Sequence, residues 1–159
     1  MRRIHKLIFL ALIAPILMSA QTSSRSDPQV DLEKLAVLLR QGSIAKVKVL
    51  HVHDSMMTRV AVSKEALDSI ATSTQDFTDQ IAEKFGSLLS GVSVKTESQT
   101  PDLRWGVFFY DRQGQKIGSL FIDEFGQYGY LNDQTVSFQT DTPARNLAKR
   151  LHKITGIRN

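Results

Sequence analysis

The chain has 159 residues, with 20 Lys+Arg against 16 Asp+Glu and no cysteine. That length suits one domain with a short appendage. Without a thiol there is no disulfide, no thiolate metal site and no cysteine nucleophile. The excess of positive charge is mostly an N-terminal feature. Arg2, Arg3 and Lys6 precede an apolar run, Leu7 to Leu17, broken by Pro15, and Met18-Ser19-Ala20 offers small residues before Gln21. This is the plan of a secretory signal peptide over residues 1–20. The run is well short of the ~20 residues a spanning helix needs. Setting aside those three basic residues leaves 17 against 16, a net charge of +1. A general positive field for nucleic acid is thereby excluded. Export of a cysteine-free chain fits a bacterial periplasm or release from the cell, and stability has to come from burial.

Gln21 to Ser26 is small and polar and is expected to be a disordered leader, with one domain following over 27–159. Asp27 caps a first helix and Pro28 takes its first position; Leu32, Leu35, Ala36 and Leu39 form its apolar stripe and Gly42 ends it. Ser43 to His53 alternates as a strand. Leu50 and Val52 fall out of phase with Val47 and Val49, which calls for burial on both faces or for a bulge. Asp54-Ser55 marks a turn, and Met57 to Val62 is expected to return as the second strand of a hairpin. Ser63 caps a short helix, Lys64 to Ala71. Ser73 or Thr74 then opens a longer helix with Phe77, Ile81, Phe85, Leu88 and Leu89 on one stripe, closed by Gly91. Val92 to Thr96 alternates as a strand.

Four further strands are expected as a meander: Leu103 to Tyr110, Lys116 to Asp123, Gln127 to Leu131 and Thr135 to Gln139. Asp111-Arg112-Gln113-Gly114 and Asp123-Glu124-Phe125-Gly126 share the form Asp-x-x-Gly, in which Asp opens a type I turn and Gly tolerates positive φ. Thr142 and Pro143 then start a last helix whose stripe is Ala144, Leu147, Ala148, Leu151 and Ile154, ended by Gly156. The class is α+β: a mostly antiparallel sheet, made of an N-terminal hairpin and a four-strand meander, packed with N-terminal, middle and C-terminal helices. The expected order is α-β-β-α-α-β-β-β-β-β-α.

Three groups of residues carry chemistry. His51-Val52-His53-Asp54 places two imidazoles on one face of a strand end, where they can share zinc, copper or nickel with Asp54. The one other histidine beyond the leader is His152, and catalytic zinc takes three protein ligands. The second group is the basic final helix, Arg145, Lys149, Arg150 and Lys153, then Arg158. These charges favour a helix C-terminus, or form a docking patch for an acidic partner or an anionic membrane surface. The third is the meander. Trp105, Val107 and Phe109 share one face of their strand while Phe108 and Tyr110 take the other, and Tyr128 and Tyr130 share a face. A sheet with aromatics on both faces is covered by helices on both or shows one to a partner.

The acidic turns lack the oxygen density of a calcium loop. There is no Gly-x-Ser-x-Gly elbow and no phosphate-cradling glycine motif. The sequence therefore points away from an enzyme and requires no cofactor. The expectation is an exported binding protein with a protein partner, in an inhibitory, immunity-like or envelope-assembly role, using Arg104, Tyr128 and Tyr130, with Arg145 and Lys149 as further contacts. The alternatives are metal binding at His51, His53 and Asp54, with His152, and membrane docking through the final helix.

Overall fold

The first helix, α1 (Pro28–Arg40), begins where Asp27 accepts the Gln29 amide at 2.9 Å and Pro28 fills the first turn. The structure is a computed structural model and describes residues 26–53, 55–56, 58–141 and 146–157. The signal peptide, most of the leader, Asp54, Met57 and the expected Thr142-Pro143 helix start lie outside these residues. Ser26, the last leader residue, is tied down: its hydroxyl donates to Asp31 and its carbonyl accepts from Gln134.

The other elements are β1 (Lys46–His51), α2 (Lys64–Ile70), β2 (Ser73–Phe77), α3 (Ile81–Phe85), β3 (Val92–Thr96), β4 (Leu103–Tyr110), β5 (Lys116–Asp123), β6 (Tyr128–Leu131), β7 (Gln134–Thr140) and α4 (Leu147–Thr155). All strands join one antiparallel sheet in the order β2-β1-β4-β5-β6-β7-β3. The fold is α+β. Among the described residues no helix is long and apolar enough to cross a membrane.

The expected N-terminal hairpin does not form. The described residues between Thr58 and Val62 carry no strand, and the outer partner of β1 is β2, in register from Val47↔Phe77 to His51↔Ser73. The sequence assigns that segment to a helix running to Leu89. Its polar alternation instead satisfies the edge of β1, and cross-strand pairing overrides local helical spacing. The helix shrinks to α3. Gln80 before it is left-handed (φ 54), and a turn ending at Gly91 (φ +63) follows. Phe77 and Phe85 still meet, with ring centroids 5.1 Å apart, but across a strand–turn–helix corner. In the last helix, Asn146 caps α4 by accepting the Lys149 amide at 2.9 Å.

β1 pairs with β4 without interruption from Lys46↔Tyr110 to His51↔Trp105. The phase break at Leu50 is thus burial on both faces, not a bulge in β1. The irregularities lie between β4 and β5: Arg104 is an extra residue on β4 between Leu103↔Asp123 and Trp105↔Ile122, and Ile117 is one on β5 between Phe109↔Gly118 and Tyr110↔Lys116. Both Asp-x-x-Gly turns are built alike. Asp111 Oδ1 accepts the amides of Gln113 and Gln115, Asp123 Oδ1 accepts that of Gln127, and Gly114 and Gly126 hold positive φ.

The larger core lies on one face of the sheet. Val47, Val49, Trp105, Val107, Phe109, Leu120, Ile122 and Val136 meet Leu32, Leu35 and Leu39 of α1, Phe85 of α3 and Leu147 and Leu151 of α4. The second face has a smaller core of Leu50, Val52, Val62, Leu67, Leu103 and Phe121 under α2. Gly106 admits that helix: a Cβ there would sit 2.6 Å from Leu67 Cδ2.

Candidate functional site

The two faces are covered unequally. α1, α3 and α4 all pack on the Trp105 face. Among the described residues α2 alone packs on the other, against β4 and β1. Pairing carries Phe121, Tyr130 and Thr135 across the second face in one row, and Tyr128 and Ser137 in the next. Tyr128, Tyr130 and Thr135 are half-buried and Gln139 is exposed. Among the described residues no helix cluster gathers over β6 and β7 on this side. Lys64, at the start of α2, reaches toward it. Its Nζ lies 4.9 Å from the Tyr130 ring centroid and 2.9 Å from Asp133 Oδ1. The Lys64 bond and charge hold the Asp133 carboxyl below the usual range.

Arg104, expected at the partner surface, is 7% exposed. Its Nη2 donates to Asp102 Oδ2 at 2.8 Å. Its Nε and Nη1 are buried and have no acceptor among the described residues. Asp102 also receives the Val62 amide at 2.8 Å, so one carboxylate ties the guanidinium to the loop after β1. Asp123 is also buried on this face. Burial raises its carboxyl above the usual range, opposed by the amides of Gln127, Tyr128 and Gly126.

The histidines converge, though not as a strand pair alone. His51 is buried, with its ring 4.1 Å from Trp105 and 5.6 Å from His152. His152 in turn stands edge-on to Trp105 at 4.7 Å. His53 is 6.5 Å from His51, and its Nδ1 accepts the Ser55 amide at 3.1 Å. His152 Nδ1 faces the Ile157 carbonyl at 2.9 Å. With Nδ1 as acceptor, His53 carries its proton on Nε2, the wrong tautomer for a metal there. Among the described residues no group of three or more ligating side chains converges; Asp54 lies outside them. The sequence pointed to His51 and His53. The stack with His152 and Trp105 was legible only as the position of His152 beside Leu151, at the margin of the α4 stripe.

The basic helix is partly spent on its own fold. Arg150 Nη1 donates to the carbonyls of Leu88 and Ser90 at 2.8 and 2.6 Å, clamping the turn after α3 to α4. Lys149 and Lys153 are exposed, and Arg145 lies outside the described residues. A surface cleft of about 720 Å³ runs beside them, lined by Glu83, Lys84, Asp141, Arg150 and Lys153 among others. Its charges are of both signs, which selects no one ligand. Comparison with protein families, with curated proteins and with solved structures finds no match for this chain.

Proposed function

We propose that this chain is an exported, non-enzymatic protein that binds a protein partner through the second face of its sheet, in an inhibitory, immunity-like or envelope-assembly role. One observation carries the reading: among the described residues three helices stack on the Trp105 face, while the Tyr128 and Tyr130 face has one short helix at one end. Half-buried tyrosines on a firm sheet suit recognition, because they give large contact area at small entropic cost. The metal reading at His51, His53 and Asp54 is weaker, since Ser55 engages His53 Nδ1. The membrane reading loses Arg150 to the turn after α3.

The test is capture from envelope extract of the native cell, with the chain lacking residues 1–20 as bait. Tyr128→Ala with Tyr130→Ala should abolish recovery of one specific protein while leaving the melting temperature within a few degrees of the parent. Equal recovery by the parent and the double variant removes this face from the account.

A further inference from the structure

β3 and β4 follow one another in the chain, yet β5, β6 and β7 lie between them in the sheet. Thr96 and Leu103 are therefore four strand spacings apart, about 19 Å. The seven residue steps joining them reach about 24 Å at full extension. The connection is close to taut. α1, α3 and α4 fill the first face, so the short path runs across the second.

The pattern of burial agrees with such a crossing. Asp123 and Ser137 share a row of the second face beyond the cover of α2, yet they are 8% and 9% exposed. Arg104, at the β4 bulge next to the Leu103↔Asp123 pair, is 7% exposed. The ends of the connection are anchored. The Glu97 amide donates to Thr135 on β7 at 3.0 Å, and Asp102 holds both the Val62 amide and Arg104. Between the anchors, Ser98, Gln99 and Thr100 are exposed and make no hydrogen bond among the described residues.

We infer that 97–102 is a movable strap across the second face, and that Arg104 beneath it receives an acidic group of the protein partner when the strap lifts. This rests on the docking reading above and names the chemistry of the contact. Nε and Nη1 of Arg104 are buried donors without an acceptor among the described residues. A carboxylate is the group that suits guanidinium donors best, through charge-assisted hydrogen bonds. Asp123, the acid in the same row, is turned into its own hairpin, where it accepts the Gln127 amide at 2.8 Å. The strap shields the guanidinium from water while no partner is bound. Lifting it breaks few bonds, because the middle of the strap has none to lose.

The chain has no cysteine, so a single thiol reports the cover directly. In Ser137→Cys, inserting three glycines between Gln99 and Thr100 should speed reaction with a maleimide about tenfold, as for a locally opened segment. In Gln139→Cys, an exposed site, the same insertion should change nothing. Equal rates at position 137 with and without the insertion overturn the strap. Should the insertion prevent folding, Gln99→Gly with Thr100→Gly loosens the same span, and labelling should still rise about threefold; no rise overturns it equally.

Acetate then probes the guanidinium, against chloride at the same ionic strength, read from the Arg104 Nε–H resonance. The strap-extended chain should bind acetate about threefold or more tighter than the parent, and in it Arg104→Gln should abolish the acetate response of neighbouring amides. An equal response to chloride, or an acetate response that survives Arg104→Gln, overturns the carboxylate assignment. Neither arm uses the partner, so failure here is separable from failure of the docking surface.

Discussion

Replacing Gly129 by alanine puts a methyl group where the neighbouring strand already lies. A Cβ built on Gly129 would fall 1.8 Å from the Phe121 carbonyl oxygen and 2.8 Å from its carbon. Both are backbone atoms, and Gly129 pairs with Ile122 in the ladder beside them. The only relief is for β6 to move off β5. Gly106 is the useful comparison. There the obstacle is Leu67 Cδ2 at 2.6 Å, the end of a side chain, though a fully buried one. Overpacking of that kind costs about 1–3 kcal/mol. Gly129→Ala adds lost ladder bonds at about 1 kcal/mol each, for a total of roughly 4 kcal/mol. Against a whole-domain stability of about 5–15 kcal/mol this is a severe loss. Trp105, the single tryptophan, is fully buried and reports unfolding by fluorescence. In urea, both variants should lower the midpoint with unchanged slope, Gly129→Ala by at least about twice as much. A Gly129→Ala chain within about 1 kcal/mol of the parent would refute the close approach of β5 to β6.

Asp123→Asn tests the buried carboxyl. Burial raises its folded pKa, so the native state binds the proton more tightly than the unfolded chain. Stability should then fall as pH rises from the ordinary aspartate range through the higher folded value. The asparagine variant should lose that slope while staying within about 1 kcal/mol of the parent at neutral pH, since its amide oxygen still accepts the Gln127 amide; urea midpoints measured across pH check both. Arg150→Ala frees the carbonyls of Leu88 and Ser90 and should cost about 1–3 kcal/mol, with Arg150→Lys recovering only part of it. Asn146→Ala removes the α4 cap and should cost about 1 kcal/mol by thermal melting.

The parts legible in the sequence are those where local chemistry and final pairing agree. Val92–Thr96, Leu103–Tyr110 and Lys116–Asp123 form strands over the residues whose alternation and Asp-x-x-Gly turns mark them. Asp27 and Pro28 likewise start α1 where their chemistry places it. The reading failed where a long-range partner decides. Ser73–Phe77 has the spacing of a helix start and becomes a strand because β1 needs an outer neighbour. Thr58–Val62 looks extended but carries no strand, although the Val62 carbonyl accepts the Leu103 amide. At the candidate site, the two-faced aromatic pattern was visible, but which face the helices leave open was not, since that depends on where α1 and α4 pack. Arg104 reads as a surface residue in the alternation of β4. The bulge that shifts it is a property of the β4–β5 pair, and the burial that leaves two of its donors without acceptors among the described residues is a property of the folded surroundings.

The central claim is that the second face of the sheet meets a protein partner. Its most direct test is a photo-crosslinking side chain placed at Tyr130 and, in separate chains, at Val30 on the exposed side of α1 and at Phe125 in the β5–β6 turn. Irradiation in the native cell should give one discrete adduct of fixed mass from position 130 and none of that mass from positions 30 and 125. The same adduct from all three positions, or an adduct from 30 or 125 with none from 130, would contradict it.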